Sequence, residues 1–306
     1  MKKSFTLIEI LVIIVVIGIL SAFILVGMSS ISQKANFAKG QAFFNSMDNS
    51  LLLARVSQWK LDQVGSGPFT TPDSWGTNTG TLMDVDGNCS TTKCPQLVTS
   101  GCPSGNCLSF DGVNDYVNCG NGASLNNINT ITITAWINPI EDKLEAIVMD
   151  SVGGGASGGV PIEFYRQVGG SLRFVSYYNN IPGTITHAAG GNIPLNNWSF
   201  VAATFDKNLA LAAGKVYING IMVNSGNDQT PLPVLEQIRT IGSYGGGGWF
   251  FNGSIDDVRV YNQAIPTSQI QQSYYLGLNK LVKNNGITSI EYNQRIAELK
   301  NHSAKQ

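Results

Sequence analysis

The sequence predicts a mainly β protein in which a long N-terminal α-helix, first membrane-spanning and then a stalk, leads into an antiparallel two-sheet sandwich. Three observations predict it. A basic leader, Met1-Lys2-Lys3-Ser4, precedes an apolar run from Phe5 to Met28. From Ser29 to about Leu61 there is no proline and one glycine, Gly40, while Ile31, Ala35, Ala38, Ala42, Leu51, Leu52 and Ala54 recur at helical spacing. Beyond Asp73 the chain breaks into short runs rich in β-branched and aromatic residues, divided by Gly, Asn, Asp and Pro. Many strands without intervening helices make a sandwich.

At about 1.5 Å per residue, Phe5 to Met28 reaches about 36 Å, enough to cross a hydrocarbon core of about 30 Å. The run holds one carboxylate, Glu9, at a cost of about 2.5–3.5 kcal/mol inside a bilayer, so Glu9 needs a partner. A secretory signal peptide has a shorter apolar centre and a small-residue cleavage site, and nothing after Met28 has that form. A plain signal anchor needs only Lys2, Lys3 and the apolar run, and leaves Glu9 unexplained.

The leader, Phe5-Thr6-Leu7 and Glu9 together resemble the type IV prepilin signature, with Ser4 standing where that family usually has glycine. The resemblance implies that a prepilin peptidase cuts between Ser4 and Phe5 and methylates the new terminus. It also implies that Glu9 meets the terminal amine of a neighbouring pilin subunit in a homo- or hetero-fibre. The chain is then expected to be single-pass in the cytoplasmic membrane with an extracytoplasmic head, at the cell surface or in a pilus after assembly. Gly65, Gly67, Pro68, Pro72 and Gly76 break the helix. The expected divisions are a leader at 1–4, a membrane and stalk helix at 5–62, a linker at 63–72, a head at 73–275 and a helical tail at 276–306.

Within the head, strands are expected around Thr130 to Ile137, Leu172 to Tyr178, Trp198 to Phe205, Lys215 to Ile218 and Ser254 to Tyr261. Asn219-Gly220, between Val216-Tyr217-Ile218 and Ile221-Met222-Val223, is a two-residue hairpin signal. Five segments then resemble, in order, the signatures of the laminin-G-like, concanavalin A-like jelly roll. They are Asp73-Ser74-Trp75-Gly76, Leu108-Ser109-Phe110-Asp111-Gly112 running on to Asp115-Tyr116-Val117, Thr134-Ala135-Trp136-Ile137, Asn197-Trp198-Ser199-Phe200, and Ser254-Ile255-Asp256-Asp257-Val258-Arg259-Val260-Tyr261. The resemblance covers about residues 73 to 275. It implies a sandwich used for recognition of carbohydrate or protein, frequently with a structural Ca²⁺.

Strand alternation puts Asp256 with Val258 and Val260 on one face, and a buried carboxylate needs hydrogen bonds or a cation. Asp111 and Asp115 are the expected oxygen donors to join Asp256 around Ca²⁺. The alternative is that Asp111 and Asp115 cap turns and Asp256 bonds to backbone amides. Asp84-Val85-Asp86-Gly87-Asn88 begins like a calcium loop, but Cys89 and Pro95 break the pattern and it reads as a turn. Tyr244 and Trp249 bracket Gly245 to Gly248 and are the candidate ligand-binding aromatics, with core packing an equal reading for Trp249. Trp136 and Trp198 read as core.

Cys89, Cys94, Cys102, Cys107 and Cys119 lie in one loop-rich stretch. Export across the membrane favours disulfides, and the spacing suggests Cys89/Cys94 and Cys102/Cys107 with Cys119 left over, although sequence does not fix connectivity. No catalytic pair is expected. Glu141-Asp142-Lys143-Leu144-Glu145 comes closest but follows Pro139 in a loop, and His187 and His302 have no nucleophile or metal-ligand cluster beside them in the sequence. With 19 basic and 20 acidic residues the chain is near neutral, which excludes nucleic acid as an expected partner. The sequence thus points to a non-enzymatic pilin-like protein. Its head is either an adhesin for glycan or a surface protein, or a structural minor subunit of a pilus or secretion system.

Overall fold

Two units divide the chain, Met1–Leu53 and Ala54–Gln306. The computed structural model describes residues 54–303, except 66–68, 88, 91–92, 127–129, 152–159, 178–183 and 233–236, together with residues 7, 11 and 14–16. In the first unit Leu7, Leu11, Ile14, Val15 and Val16 are helical and exposed. Among the described residues no helix is long and apolar enough to cross a membrane. Ser4, Phe5, Glu9 and the predicted stalk up to residue 53 lie outside the described residues.

Among its described residues the second unit carries sixteen strands. In chain order they are β1 Arg55–Trp59, β2 Thr70–Thr71, β3 Gly80–Met83, β4 Gln96–Val98, β5 Cys107–Asp111, β6 Tyr116–Asn118, β7 Thr130–Pro139 and β8 Glu145–Ser151. There follow β9 Val160–Arg166, β10 Leu172–Tyr177, β11 Thr184–Gly190, β12 Ser199–Asp206, β13 Gly214–Ile218, β14 Ile221–Gly226, β15 Ile238–Ile241 and β16 Asn252–Tyr261. Helices α1 Thr267–Lys283 and α2 Ser289–Ser303 close the unit. The strands form two eight-stranded antiparallel sheets. Sheet A has the order β14-β13-β12-β7-β16-β5-β4, with β1 also on β16, and sheet B the order β11-β10-β9-β8-β15-β6-β3-β2. Their facing sides bury Phe110, Val117, Ile133, Ile137, Ile147, Ile162, Phe164, Phe174, Val201, Phe205, Ile241, Phe251 and Val258 in one core.

The predicted strands are present, and so is the Asn219-Gly220 hairpin. Both turn residues have positive φ, 52° and 77°, as a type I′ turn requires. Both boundaries of the head move. Residues 55–59, expected within the helix, form a strand instead, because Arg55-Val56-Ser57-Gln58-Trp59 pairs antiparallel with β16 from Tyr261 to Val258. Trp59 is fully buried and its indole N–H donates to the Asn78 carbonyl at 2.6 Å. Pairing and burial override the helical spacing read there. The head therefore begins at Ala54 rather than 73.

Nor does it end at 275. Ile270, Tyr274, Leu278 and Leu281 form a buried stripe on α1. Tyr274 stacks on Trp136 with centroids 5.7 Å apart, and Gly277 lies so close to the Trp136 indole that a Cβ would clash with Nε1. Arg295 on α2 donates to the Trp198 carbonyl and to Asn197, both at 2.7 Å. The helices thus cover the outer face of sheet A rather than trailing as a tail.

Candidate functional site

Alternation leaves the outer face of sheet B with polar and aromatic side chains. On β9, Ile162 and Phe164 enter the core, so Glu163 and Tyr165 point the other way. On β10, Leu172 and Phe174 enter the core and Arg173, the cross-strand partner of Tyr165, faces outward. The loop between β15 and β16 adds Tyr244 and Trp249. Gly248 O accepts from Tyr244 N–H at 2.8 Å, Tyr244 O from Gly247 N–H at 2.9 Å, and buried Ser243 Oγ from Gly246 N–H at 3.0 Å. Gly246 has φ +74°, and a Cβ there would meet the Tyr116 ring at 2.9 Å, so the turn needs glycine. Trp249 itself adopts φ 51° and its carbonyl accepts from Ala146 N–H at 2.8 Å.

This loop brings the two predicted aromatics together. The Trp249 ring lies 5.2 Å from Tyr244 and 5.2 Å from Tyr165. Trp249 and Tyr244 are half-buried, so for Trp249 packing and accessibility coexist. Glu163 is 7 % exposed and has no hydrogen bond or ion pair among the described residues. Burial pushes its carboxyl up to about 7. Burial first, and then the Glu163 charge, raise the Tyr244 hydroxyl; burial is also the main cause that raises Tyr165, whose hydroxyl bonds to Arg173. Tyr177, 39 % exposed at the end of β10, adds a further phenol. Sequence reasoning singled out Tyr244 and Trp249 and passed over Glu163 and Tyr165. The signal was the polar-aromatic alternation Glu163-x-Tyr165 inside an apolar run, whose neighbours only sheet pairing supplies.

The carboxylates expected around calcium do not form one donor set. Asp111 Oδ1 accepts from Val113 N–H at 2.8 Å and Asn114 N–H at 3.2 Å, and Asp115 Oδ2 accepts from Asp111 N–H at 3.0 Å. These are the turn caps of the alternative reading. Asp256 stands four residues along β16 from Asn252, the cross-strand partner of Asp111, a run of about 13 Å. Fully buried, it accepts from Ser104 N–H at 2.8 Å, and burial followed by the Asp257 charge raises its pKa well above the carboxylate range. A register shift between Asp256 and Arg259 disturbs the simple alternation, and Asp257 is buried too, paired with Arg259 at 2.6 Å. Asp115 instead shares its surroundings with Asp111 and Asp84, and burial above all raises it to about 6. Asp84 to Gly87 is a turn, with Asp86 N–H on Asp84 Oδ1 at 2.7 Å. Among the described residues no three His, Cys, Asp or Glu are grouped to hold a metal.

The Glu141 to Glu145 segment has structural partners. Arg166 reaches Asp142 at 3.0 Å and Glu145 at 3.6 Å, and Asn252 N–H donates to Glu145 Oε1 at 3.0 Å. His187, isolated in the sequence, meets Ser176 Oγ at 2.8 Å. Both are fully buried, and burial lowers the imidazole to about 4. Disulfides join Cys89 to Cys94 and Cys102 to Cys107, and Cys119 is free and buried with its thiol pushed far up by desolvation.

The concanavalin A-like lectin/glucanases superfamily model matches residues 111–271, just over half of the chain. No curated protein matches by sequence. Among solved structures, domain 4 of AbnA, an extracellular arabinanase from Geobacillus stearothermophilus solved with arabinotriose, is similar at 18% identity and TM-score 0.54, over 71% of this chain and 97% of that one. The binding domain of Paraclostridial Mosquitocidal Protein 1 is similar at 16% and 0.52, over 75% and 53%. The botulinum neurotoxin serotype G binding domain is similar at 11% and 0.51, over 73% and 51%. At such identities the shared property is the fold. The two-sheet topology and the matched segment agree, and the chain belongs to the concanavalin A-like lectin/glucanase superfamily.

Proposed function

We propose that this chain is a type IV pilin-like surface protein whose jelly-roll head binds a glycan on the outer face of sheet B. The observation that carries the glycan reading is the joined group Tyr165, Trp249 and Tyr244 beside the carboxylate of Glu163, which has no partner among the described residues. Aromatic faces pack against sugar rings, and a carboxylate accepts hydroxyl hydrogen bonds. The opposite face is occupied, since α1 covers Trp136 and Phe200 on sheet A. The arabinanase domain in complex with arabinotriose supports a saccharide ligand for this fold. The head acts as a binding module without catalysis, because the Glu141 to Glu145 carboxylates serve Arg166, Lys143 and Asn252. The pilin reading rests on Ser4, Phe5 and Glu9 and their spacing.

Two experiments test the proposal. Full-length chain in detergent is applied to a glycan array alongside W249A. The native protein is expected to retain a defined set of sugars and W249A to lose them by about tenfold or more, as removal of a stacking ring costs about 1–2 kcal/mol. Equal retention by W249A would reject the site. Intact mass of the chain from membranes of cells with and without prepilin peptidase is expected to begin at methylated Phe5 only in the former. Retention of Met1 to Ser4 in both would reject the pilin pathway.

A further inference from the structure

Glu163 sits among groups that do not neutralise it. On its own strand the outward neighbour is Tyr165, and on β10 its cross-strand partner is Val175, without charge, with Arg173 opposite Tyr165. Arg173 is engaged with the Tyr165 hydroxyl. From β8 the cross-strand partner is Met149, without charge, and from the β15–β16 loop Tyr244 faces it. Asp150, next to Met149, is already paired with Arg239 at 2.7 Å and 3.0 Å. A carboxylate 7 % exposed, with no donor among the described residues and with Tyr165 and Tyr244 beside it, is an acceptor that a ligand donor can complete. Resting on the glycan reading above, we infer that Glu163 makes this site selective for neutral or amino sugars, whose hydroxyl or ammonium groups donate to it, and against sugars that carry a carboxylate.

The physical basis is asymmetric. An ionised carboxylate offers only acceptor oxygens, so a sugar hydroxyl or ammonium completes it. A second carboxylate brought beside it adds like-charge repulsion in a desolvated setting and leaves both without donors. The same logic couples binding to proton release, because a donor ligand favours the charged form of a group that burial holds near 7.

The test uses full-length protein and E163Q on an array that pairs neutral and amino oligosaccharides with their sialylated and uronic acid counterparts. Native protein at about pH 8 is expected to bind the carboxylated partners about tenfold or more weakly, and to lose about tenfold on its neutral ligands at about pH 5.5. E163Q is expected to bind neutral sugars without that pH dependence and to bring the carboxylated partners within a few-fold. Circular dichroism confirms that E163Q is folded. Equal binding of sialylated or uronic sugars by native protein, or unchanged discrimination by E163Q, would overturn the selectivity while leaving the glycan site standing. Native protein that retains no sugar at either pH would overturn the glycan reading and the selectivity with it.

Discussion

Burial moves Glu163 up to about 7 and His187 down to about 4, and the two act on stability with opposite sign. The Glu163 carboxyl binds its proton more tightly folded than unfolded. Its favourable contribution is complete below about 4.5 and is lost as pH rises through about 7. E163Q removes that loss, so denaturant unfolding at about pH 8 should show it more stable than the native chain by up to roughly 3 kcal/mol, with no gain at about pH 4. A native-like result at pH 8 would mean that the carboxylate has a partner. His187 is the reverse case. It is kept neutral against Phe174 and Phe205 with Ser176 on Nε2, so its contribution is complete above about 6.5 and is lost as pH falls toward 4. H187Q should therefore show a weaker acid destabilisation between those limits, measured from unfolding midpoints. Neither shift is legible in sequence, since each depends on neighbours from distant strands. Only the titratable residue types were.

At the level of elements, β1 pairs with β16 and α1 covers sheet A, and at both local spacing misled. The stretch up to Ala54 carries helical periodicity, yet Val56 and Trp59 are β-branched and aromatic and find their partners two hundred residues away on β16. W59A should cost about 3–5 kcal/mol in unfolding free energy, because a fully buried indole and its hydrogen bond to Asn78 are lost together. A loss under about 1 kcal/mol would show that β1 is peripheral. In α1, Gly277 would ordinarily be improved by alanine by about 1 kcal/mol. Here the Trp136 indole fills the space, so G277A should instead destabilise by about 1–3 kcal/mol, and the helix spacing alone predicts the wrong sign. Thermal unfolding of the two variants separates these outcomes. The β strands beyond Asp73 were legible because alternation and Asn-Gly turn chemistry are local, as at Asn219-Gly220.

For the whole molecule, the cysteines link compartment to fold. Iodoacetamide on denatured, unreduced protein should label a single thiol, Cys119, and reduction should expose all five. Five labelled thiols without reduction would place the head in a reducing compartment and weaken the exported, pilin-like reading. By itself the sequence determined the sandwich class, the jelly-roll family, the pairing candidates among the cysteines and the two aromatics of one loop. Each of these is written in residues close together in the chain. Tertiary structure alone decided that β1 belongs to the head, that α1 packs on sheet A, and that Asp256 lies apart from Asp111 and Asp115. It also set Glu163 and Tyr165 beside Tyr244 and Trp249, eighty residues away. The physical reason is that strand order and register, not sequence distance, choose which side chains share a face, and burial then sets the charge each one holds.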